Sequence, residues 1–390
     1  MGTPRVDYGG QGGFGDVALS PDFANDGIVY LSWAEAGEGD TRGAAVGRAR
    51  LVIGPGAQGG RLEGLQVIWR QEPKTTGRGH YSHRLAFSPD GRFLFIAAGD
   101  RQKITPAQDP DQLLGKIVRL TPTGGIPSDN PNYDQGRLRA QWWSTGHRNI
   151  LGMAFDAEGR LWEVEHGPAG GDELNLVKRG ANYGWPSVEG NNGNPPSSPG
   201  TYQAPLHVYS HGNNSNQGYV VTGGAFYNPT TVNFPSEYVG DYFFADYASG
   251  WIRKLDLPNT SGSNFIRDIL GPIDLRVASD GSLWYLARGY GTNTGEVWRV
   301  TYTDSSAPSI SQHPASLTRS EGQSATFTVV ASGAQPLSYQ WQRDGVNIPG
   351  ANSASYTLNS VTLNDNGGTF RCLDKDRTIG MVWEARQVAA

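Results

Sequence analysis

Two short segments carry side chains suited to acid–base work. His80 opens His80-Tyr81-Ser82-His83-Arg84, and Asp100 closes Ala97-Ala98-Gly99-Asp100. A neutral imidazole can take a proton near neutral pH. A carboxylate on its other nitrogen would fix the tautomer and stabilise the imidazolium. Taken alone, the two residues read better as a polar loop residue and a turn former at a strand end. Gly146-His147-Arg148-Asn149 sets a cation beside an amide, which suits an anionic ligand as well as a surface loop. Gly167-Pro168 can expose main-chain carbonyls, which calcium accepts readily. The adjacent acids Asp172 and Glu173, followed by Leu174-Asn175, suit a hard cation and a solvated strand edge equally.

The elements that must position these groups repeat along the chain. Val17-Ala18-Leu19-Ser20-Pro21-Asp22, Leu85-Ala86-Phe87-Ser88-Pro89-Asp90-Gly91 and Met153-Ala154-Phe155-Asp156-Ala157-Glu158-Gly159 are versions of one phrase, with Ala18, Ala86 and Ala154 each 68 residues apart. Val277-Ala278-Ser279-Asp280-Gly281 is a fourth copy, and Gly223-Gly224-Ala225-Phe226-Tyr227 fills the gap as a divergent one. Each phrase is an apolar strand and a turn built on Pro, Asp and Gly. A second strand follows over 27–32, 92–98, 160–165, 241–245 and 282–287. A third closes most units, over 116–120, 173–177, 251–255 and 295–300. Antiparallel units of this length without helical periodicity predict propeller blades with long loops. A sandwich would explain the strands and turns but not the regular spacing.

Composition agrees. Of 390 residues, 54 are Gly and 24 Pro, aromatics reach 11% and charged residues only 18%, which excludes disordered and long-helical chains. A net charge of −5 without a basic run argues against nucleic acid or an anionic membrane as partner, and no apolar run approaches a bilayer span. The single Cys372 forbids an intramolecular disulfide and a cysteine metal cluster. Met1-Gly2-Thr3-Pro4 lacks the charged and apolar regions of a signal peptide.

Composition shifts at the linker Thr303-Asp304-Ser305-Ser306-Ala307-Pro308. Beyond it, 322–329, 337–342, 355–358 and 365–372 read as short alternating strands with a central Trp341 and a late Cys372. They resemble an immunoglobulin-like sandwich. Val329 or Ala331 stands where the first cysteine of a disulfide pair would lie, and Phe370 replaces the tyrosine two residues before Cys372. The tail from Leu373 to Ala390 lacks a final alternating strand, which reads as an incomplete module serving adhesion or spacing.

Longer motifs tie the first part to a family. They are Gly10-Gln11-Gly12-Gly13-Phe14-Gly15-Asp16, His80-Tyr81-Ser82-His83-Arg84-Leu85, Gln108-Asp109-Pro110-Asp111-Gln112-Leu113-Leu114-Gly115-Lys116, Gly146-His147-Arg148-Asn149, Glu165-His166-Gly167-Pro168-Ala169-Gly170-Gly171-Asp172-Glu173-Leu174-Asn175 and Asn182-Tyr183-Gly184-Trp185-Pro186. Over about residues 9–302 the chain resembles the soluble quinoprotein sugar dehydrogenases, the glucose/sorbosone or aldose dehydrogenase family. The resemblance implies a six-bladed propeller that uses pyrroloquinoline quinone (PQQ) and calcium to oxidise aldoses outside the cytoplasm. It implies His80 as base and Asp100 as its orienting carboxylate. It further implies Gln11, Arg148 and Asn149 as cofactor contacts, Gly167 and Pro168 carbonyls on the cofactor calcium, and Asp172, Glu173 and the Tyr183 carbonyl on a second, structural calcium. His83 stands where the family has a small residue, and could crowd the pocket.

Two departures stand out. The family's lysine should fall in Phe244–Gly250, which has none, and its arginine pair near Gly271–Leu275, where Arg276 comes late. Arg253, Lys254 and Arg267 are the available substitutes. Only eight residues precede Gly9 where the family has roughly fifty, so five blades are countable. The expectation is therefore an all-β chain: a propeller over 1–303 and an Ig-like domain over 304–390. Its function would be PQQ- and calcium-dependent oxidation of aldoses at C1 to lactones, with an external electron acceptor and a periplasmic or secreted location. The Ig-like part would serve dimer or carbohydrate contacts. The alternative is a non-catalytic secreted propeller binding carbohydrate or protein. A lactone hydrolase rests on fold analogy alone.

Overall fold

The computed structural model describes residues 2–57, 59–169, 171–214, 217–257, 261–288, 294–302, 309–332, 339–374 and 381–387. The expected linker at Thr303–Pro308 lies outside them. The chain divides into two units, 1–298 with 385–390, and 299–384.

The first unit is a β-propeller whose sheets follow one another in chain order. The first sheet pairs Phe14–Leu19, Ile28–Ala36, Arg42–Ile53 and Gly60–Arg70. In the second, Ser82–Phe87, Leu94–Ala98, Lys116–Leu120 and Trp142–Thr145 are extended by the short strands Ala181–Asn182 and Thr201–Tyr202. The third pairs Ile150–Phe155, Leu161–Glu165, Asp172–Val177 and His207–Tyr209. The fourth runs Val221–Phe226, Tyr242–Asp246, Trp251–Asp256 and Ser261–Ile266. The fifth holds Pro272–Val277, Leu283–Ala287 and Glu296–Tyr302. The repeated phrases thus form the leading strand of each sheet, and that strand packs against the leading strand of the next.

Alternate apolar residues fill the space between sheets. Tyr30, Val46, Trp69, Leu94, Ile96 and Val118 join the first two. Phe95, Ile117, Met153 and Leu161 join the second and third, and Trp162, Val164, Tyr242, Phe244 and Trp251 the third and fourth. Buried carboxylates tie neighbouring sheets together. Asp16 accepts from the Leu85 amide at 2.9 Å, and Asp172 from the Val221 amide at 2.6 Å. Between the fifth and first sheets Arg276 reaches Asp16 at 3.3 Å. The first sheet nevertheless leaves Phe14, Val17 and Leu19 about half exposed, at 49%, 55% and 55%. The whole leading strand of the fourth sheet is buried.

The second unit carries an immunoglobulin-like core, with Trp341, Val329 and Cys372 buried together against Phe327, Tyr339 and Tyr356. Trp341 is the register partner of Cys372. Val329 occupies the core where a second sulfur would sit, and Phe370 stacks on Phe327 at 4.6 Å.

Candidate active site

The site lies at the strand ends where the leading strands begin and the second strands finish. There the backbone adopts left-handed conformations that only glycine takes freely. His80, Ser82 and His83 have φ of 46°, 57° and 45°, and Arg101 and Gln102 have 56° and 57°. Such residues cost about 1–3 kcal/mol each and persist where the surroundings hold them. Arg101 is the brace. It is buried, donates to the carbonyls of Gly79, Arg42 and Gly77, and lies 3.7 Å from the centre of the Tyr81 ring.

This brace joins the two residues that sequence separates by twenty positions. His80 Nδ1 lies 2.7 Å from Asp100 Oδ1, with both side chains almost completely buried. The Gln102 amide donates to the same carboxylate oxygen at 2.8 Å. Trp185 Nε1 donates to its other oxygen, Oδ2, at 2.8 Å. Gln11 Oε1 accepts the His80 amide at 2.6 Å. Asn149 Oδ1 accepts from the Ser82 hydroxyl at 3.3 Å, and the Asp100 amide donates to the Arg148 carbonyl. Arg148 donates from Nη1 to the His166 carbonyl at 2.7 Å and lies 5.3 Å from the centre of the Trp185 ring, while its buried Nε has no partner among the described residues. Gln11, His80, Asp100, Arg148 and Asn149 thus meet in one place.

His83 does not crowd this place. Its ring is buried against Tyr81, and a Cβ on Gly15 would come within 2.5 Å of it. Burial, with Arg84 and Arg101 nearby, pushes its imidazole down to about 3, so it stays neutral.

The expected second metal set is corrected by strand geometry. Asp172 and Glu173 are neighbours on one strand and point to opposite faces. Asp172 accepts from the Gly167 amide, His211, the Tyr209 hydroxyl and the Val221 amide. Glu173 faces Asn175 and the Gly190 amide. Its true companions are Glu163 and Glu165, alternate residues of the paired strand, together with Asn175 and His147. Tyr183 joins through its ring, stacked on His147 at 4.7 Å. Among the described residues Glu163 Oε2 and Asn175 Oδ1 are buried without partners, a donor set that fits a hard cation. Period-two acids in Leu161-Trp162-Glu163-Val164-Glu165 were the overlooked signal, because a buried strand has no other reason to carry them. Gly167 and Pro168 form the adjacent turn. A Cβ on Gly167 would strike the Gly171 carbonyl at 2.0 Å, so only glycine fits there.

Two of the three substitutes for the absent family cations are occupied. Lys254 pairs with Asp241, and Arg253 lies over Trp251 and donates to Asn264 and the Gln217 carbonyl. Arg267 is exposed. Arg276 is held by Asp16 and Asp274.

With this geometry in hand, comparison with known proteins is decisive. The glucose/sorbosone dehydrogenase family model matches residues 1–299. The chain belongs to that family. An immunoglobulin domain matches residues 307–373. This glucose/sorbosone dehydrogenase family member is 44% identical over 186 residues to the aldose sugar dehydrogenase YliI of Escherichia coli, covering 47% of this chain and 49% of that protein. It spans about half the length of the curated relatives it matches. The apo-form crystal structure of the soluble aldose sugar dehydrogenase from Escherichia coli superposes with a TM-score of 0.63 at 34% identity, over 73% of this chain and 82% of that one. The PQQ-bound form of the Streptomyces coelicolor aldose sugar dehydrogenase gives 0.61 at 27%, over 76% and 81%.

The acid cluster makes a prediction. Burial, with Glu165 close by, raises Glu163 to about 7 and Glu173 to about 8. His147 is lowered by burial, but Glu163 and Glu165 outweigh this and hold it up at about 9. Raised carboxylates contribute stability that is full below their ordinary value near 4.5 and is lost as pH rises through 7–8. A raised histidine's contribution is full below 6.5 and is lost as pH rises through 9. In EDTA, thermal stability should therefore fall steadily from about pH 5 to 9. Millimolar calcium should flatten that slope, because a dication favours the ionised carboxylates. Melting curves that keep the same slope with calcium present would show that no cation sits there.

Proposed function

We propose that this protein is a PQQ- and calcium-dependent sugar dehydrogenase that oxidises aldoses at C1 to lactones. The observation that carries the reading is the buried His80–Asp100 pair, brought by strained backbone next to Arg148, Asn149 and Gln11. The cofactor fits the residues present in one respect above all: Arg148 is a half-buried cation whose buried Nε has no partner among the described residues. Arg148, Asn149 and Gln11 would hold the quinone, and the carbonyls of Gly167 and Pro168 its calcium. Glu173 with Glu163, Glu165 and Asn175 would hold the structural calcium. When bound, the quinone supplies a two-electron acceptor for hydride.

The chain's own residues supply the rest. His80 Nδ1 is turned to Asp100, which leaves Nε2 as the atom to take the proton of the sugar C1 hydroxyl. Asp100 stabilises the imidazolium that forms. Arg101, through three carbonyl acceptors, keeps the His80 turn from relaxing into a commoner conformation. On this reading electrons leave to an external acceptor, and the protein works in the periplasm or outside the cell. Among the described residues no helix is long and apolar enough to cross a membrane.

The test is titration of purified apoprotein with PQQ in millimolar calcium, followed by glucose or xylose and an electron-accepting dye. Saturable binding with sugar-dependent dye reduction is the expected result. Absence of binding at tens of micromolar PQQ would favour a non-catalytic propeller, consistent with Lys254, Arg253 and Arg276 being engaged elsewhere. Arg148→Ala should weaken PQQ binding by roughly ten- to a hundredfold, the loss of one charge-assisted contact.

A further inference from the structure

Trp185 touches both halves of the site. Its indole N–H donates to Asp100 Oδ2 at 2.8 Å, and its ring carries the Arg148 guanidinium at 5.3 Å. Its own backbone is pinned on both sides: the amide donates to the Gly146 carbonyl, and the carbonyl accepts from Gln108 Nε2 at 2.6 Å. Gln108 is held in turn by Asn182, through bonds of 3.0 and 2.7 Å. The loop that carries Gln108 is closed by the buried Lys116 ammonium, which donates to the carbonyls of Pro106, Ala107 and Leu114. The indole is therefore a fixed donor.

A carboxylate with both oxygens held cannot swing about its Cβ–Cγ bond. Without Trp185, Oδ2 has no side-chain donor among the described residues. Only Oδ1, shared by His80 and the Gln102 amide, would then set the plane of the group. The imidazole would follow that plane, and its Nε2 would wander from the substrate direction.

We propose that Trp185 is a positioning residue that fixes the Asp100 carboxylate, and through it His80, while its ring face steadies Arg148. It couples the orientation of the base to the anion-binding side of the site. This rests on the reading of His80 as the base.

Two substitutions separate the two contacts. Trp185→Phe keeps a ring under Arg148 and removes the donor, while Trp185→Leu removes both. For Trp185→Phe, kcat should fall by roughly ten- to a hundredfold, the usual effect of losing a supporting partner, with KM for the sugar and PQQ affinity within about twofold of wild type. Trp185→Leu should lose PQQ affinity as well. A second readout needs no cofactor. In apoprotein the His80 Nδ1 proton, held against Asp100, should give a far-downfield proton NMR resonance that disappears in His80→Ala. In Trp185→Phe it should shift or broaden by exchange. A Trp185→Phe protein with wild-type kcat and an unmoved resonance would overturn the inference. If wild type itself fails to oxidise sugars, the functional reading falls, and the resonance still decides whether Trp185 positions the pair.

Discussion

Replacing His80 with alanine should lower sugar-dependent dye reduction by about 10²- to 10⁴-fold, the range that a positioned proton acceptor contributes. The same protein should keep its PQQ affinity and its melting temperature. Three features require this combination. The imidazole is buried against Asp100 and takes no part in the sheet cores, so its loss leaves packing intact. The left-handed turn at residue 80 becomes easier to relax, but Arg101 still holds the carbonyls of Gly79 and Gly77 around it. The cofactor contacts assigned to Arg148 and Asn149 come from a different strand end. Asp100→Asn should follow with a smaller but still large fall, because an amide can present its N–H to Nδ1 and select the wrong tautomer. Equal turnover in wild type and His80→Ala, at saturating PQQ, would remove His80 from the chemistry. A parallel loss of PQQ binding would recast it as a cofactor contact.

The second large effect is on stability. Asp172→Ala should destabilise the propeller by about 2–5 kcal/mol, since two buried amides lose their acceptor at once and each orphan costs about 1–3 kcal/mol. Those donors are the Gly167 and Val221 amides, and the Tyr209 hydroxyl and His211 each lose one partner too. Tyr209 also bridges to Asp246, which itself takes the amides of Tyr219, Val220 and Ser249. The loss therefore falls on the seam between the third and fourth sheets. Thermal unfolding should shift down by on the order of 10 °C. Asp172→Asn, which keeps one acceptor oxygen, should recover part of it. A midpoint within 2 °C of wild type would show that water replaces the carboxylate at this seam.

The immediate neighbour Glu173 should behave in the opposite sense. It shares its face with the acids Glu163 and Glu165, so Glu173→Gln is expected to stabilise metal-free protein at pH 8 and to abolish the stabilisation by calcium. The contrast between adjacent residues follows from strand alternation alone.

Much of this protein was legible in its residues. The apolar strand followed by Pro, Asp and Gly recurs because every blade needs the same leading strand and tight reversal, so repetition marked the propeller before any contact was known. Trp341, Val329 and Cys372 marked the second unit because an immunoglobulin-like core must be filled whether or not a disulfide forms. His80, Asp100, Arg148 and Asn149 stood out by motif, since chemistry constrains residue type. What the motifs could not show was direction. Asp172 and Glu173 read as one metal pair, yet the pleat sends them to different faces, one to tie sheets and the other to join Glu163 and Glu165. His83 read as a residue that could crowd the pocket, yet packing against Gly15 and Tyr81 turns it inward. Trp185 lies 85 positions from Asp100, a contact no local pattern encodes. Residue types and their spacing determined which groups this chain possesses, because those follow from local chemistry. Only the tertiary structure decided which groups share a face and a hydrogen bond, because that depends on how distant strand ends are brought together.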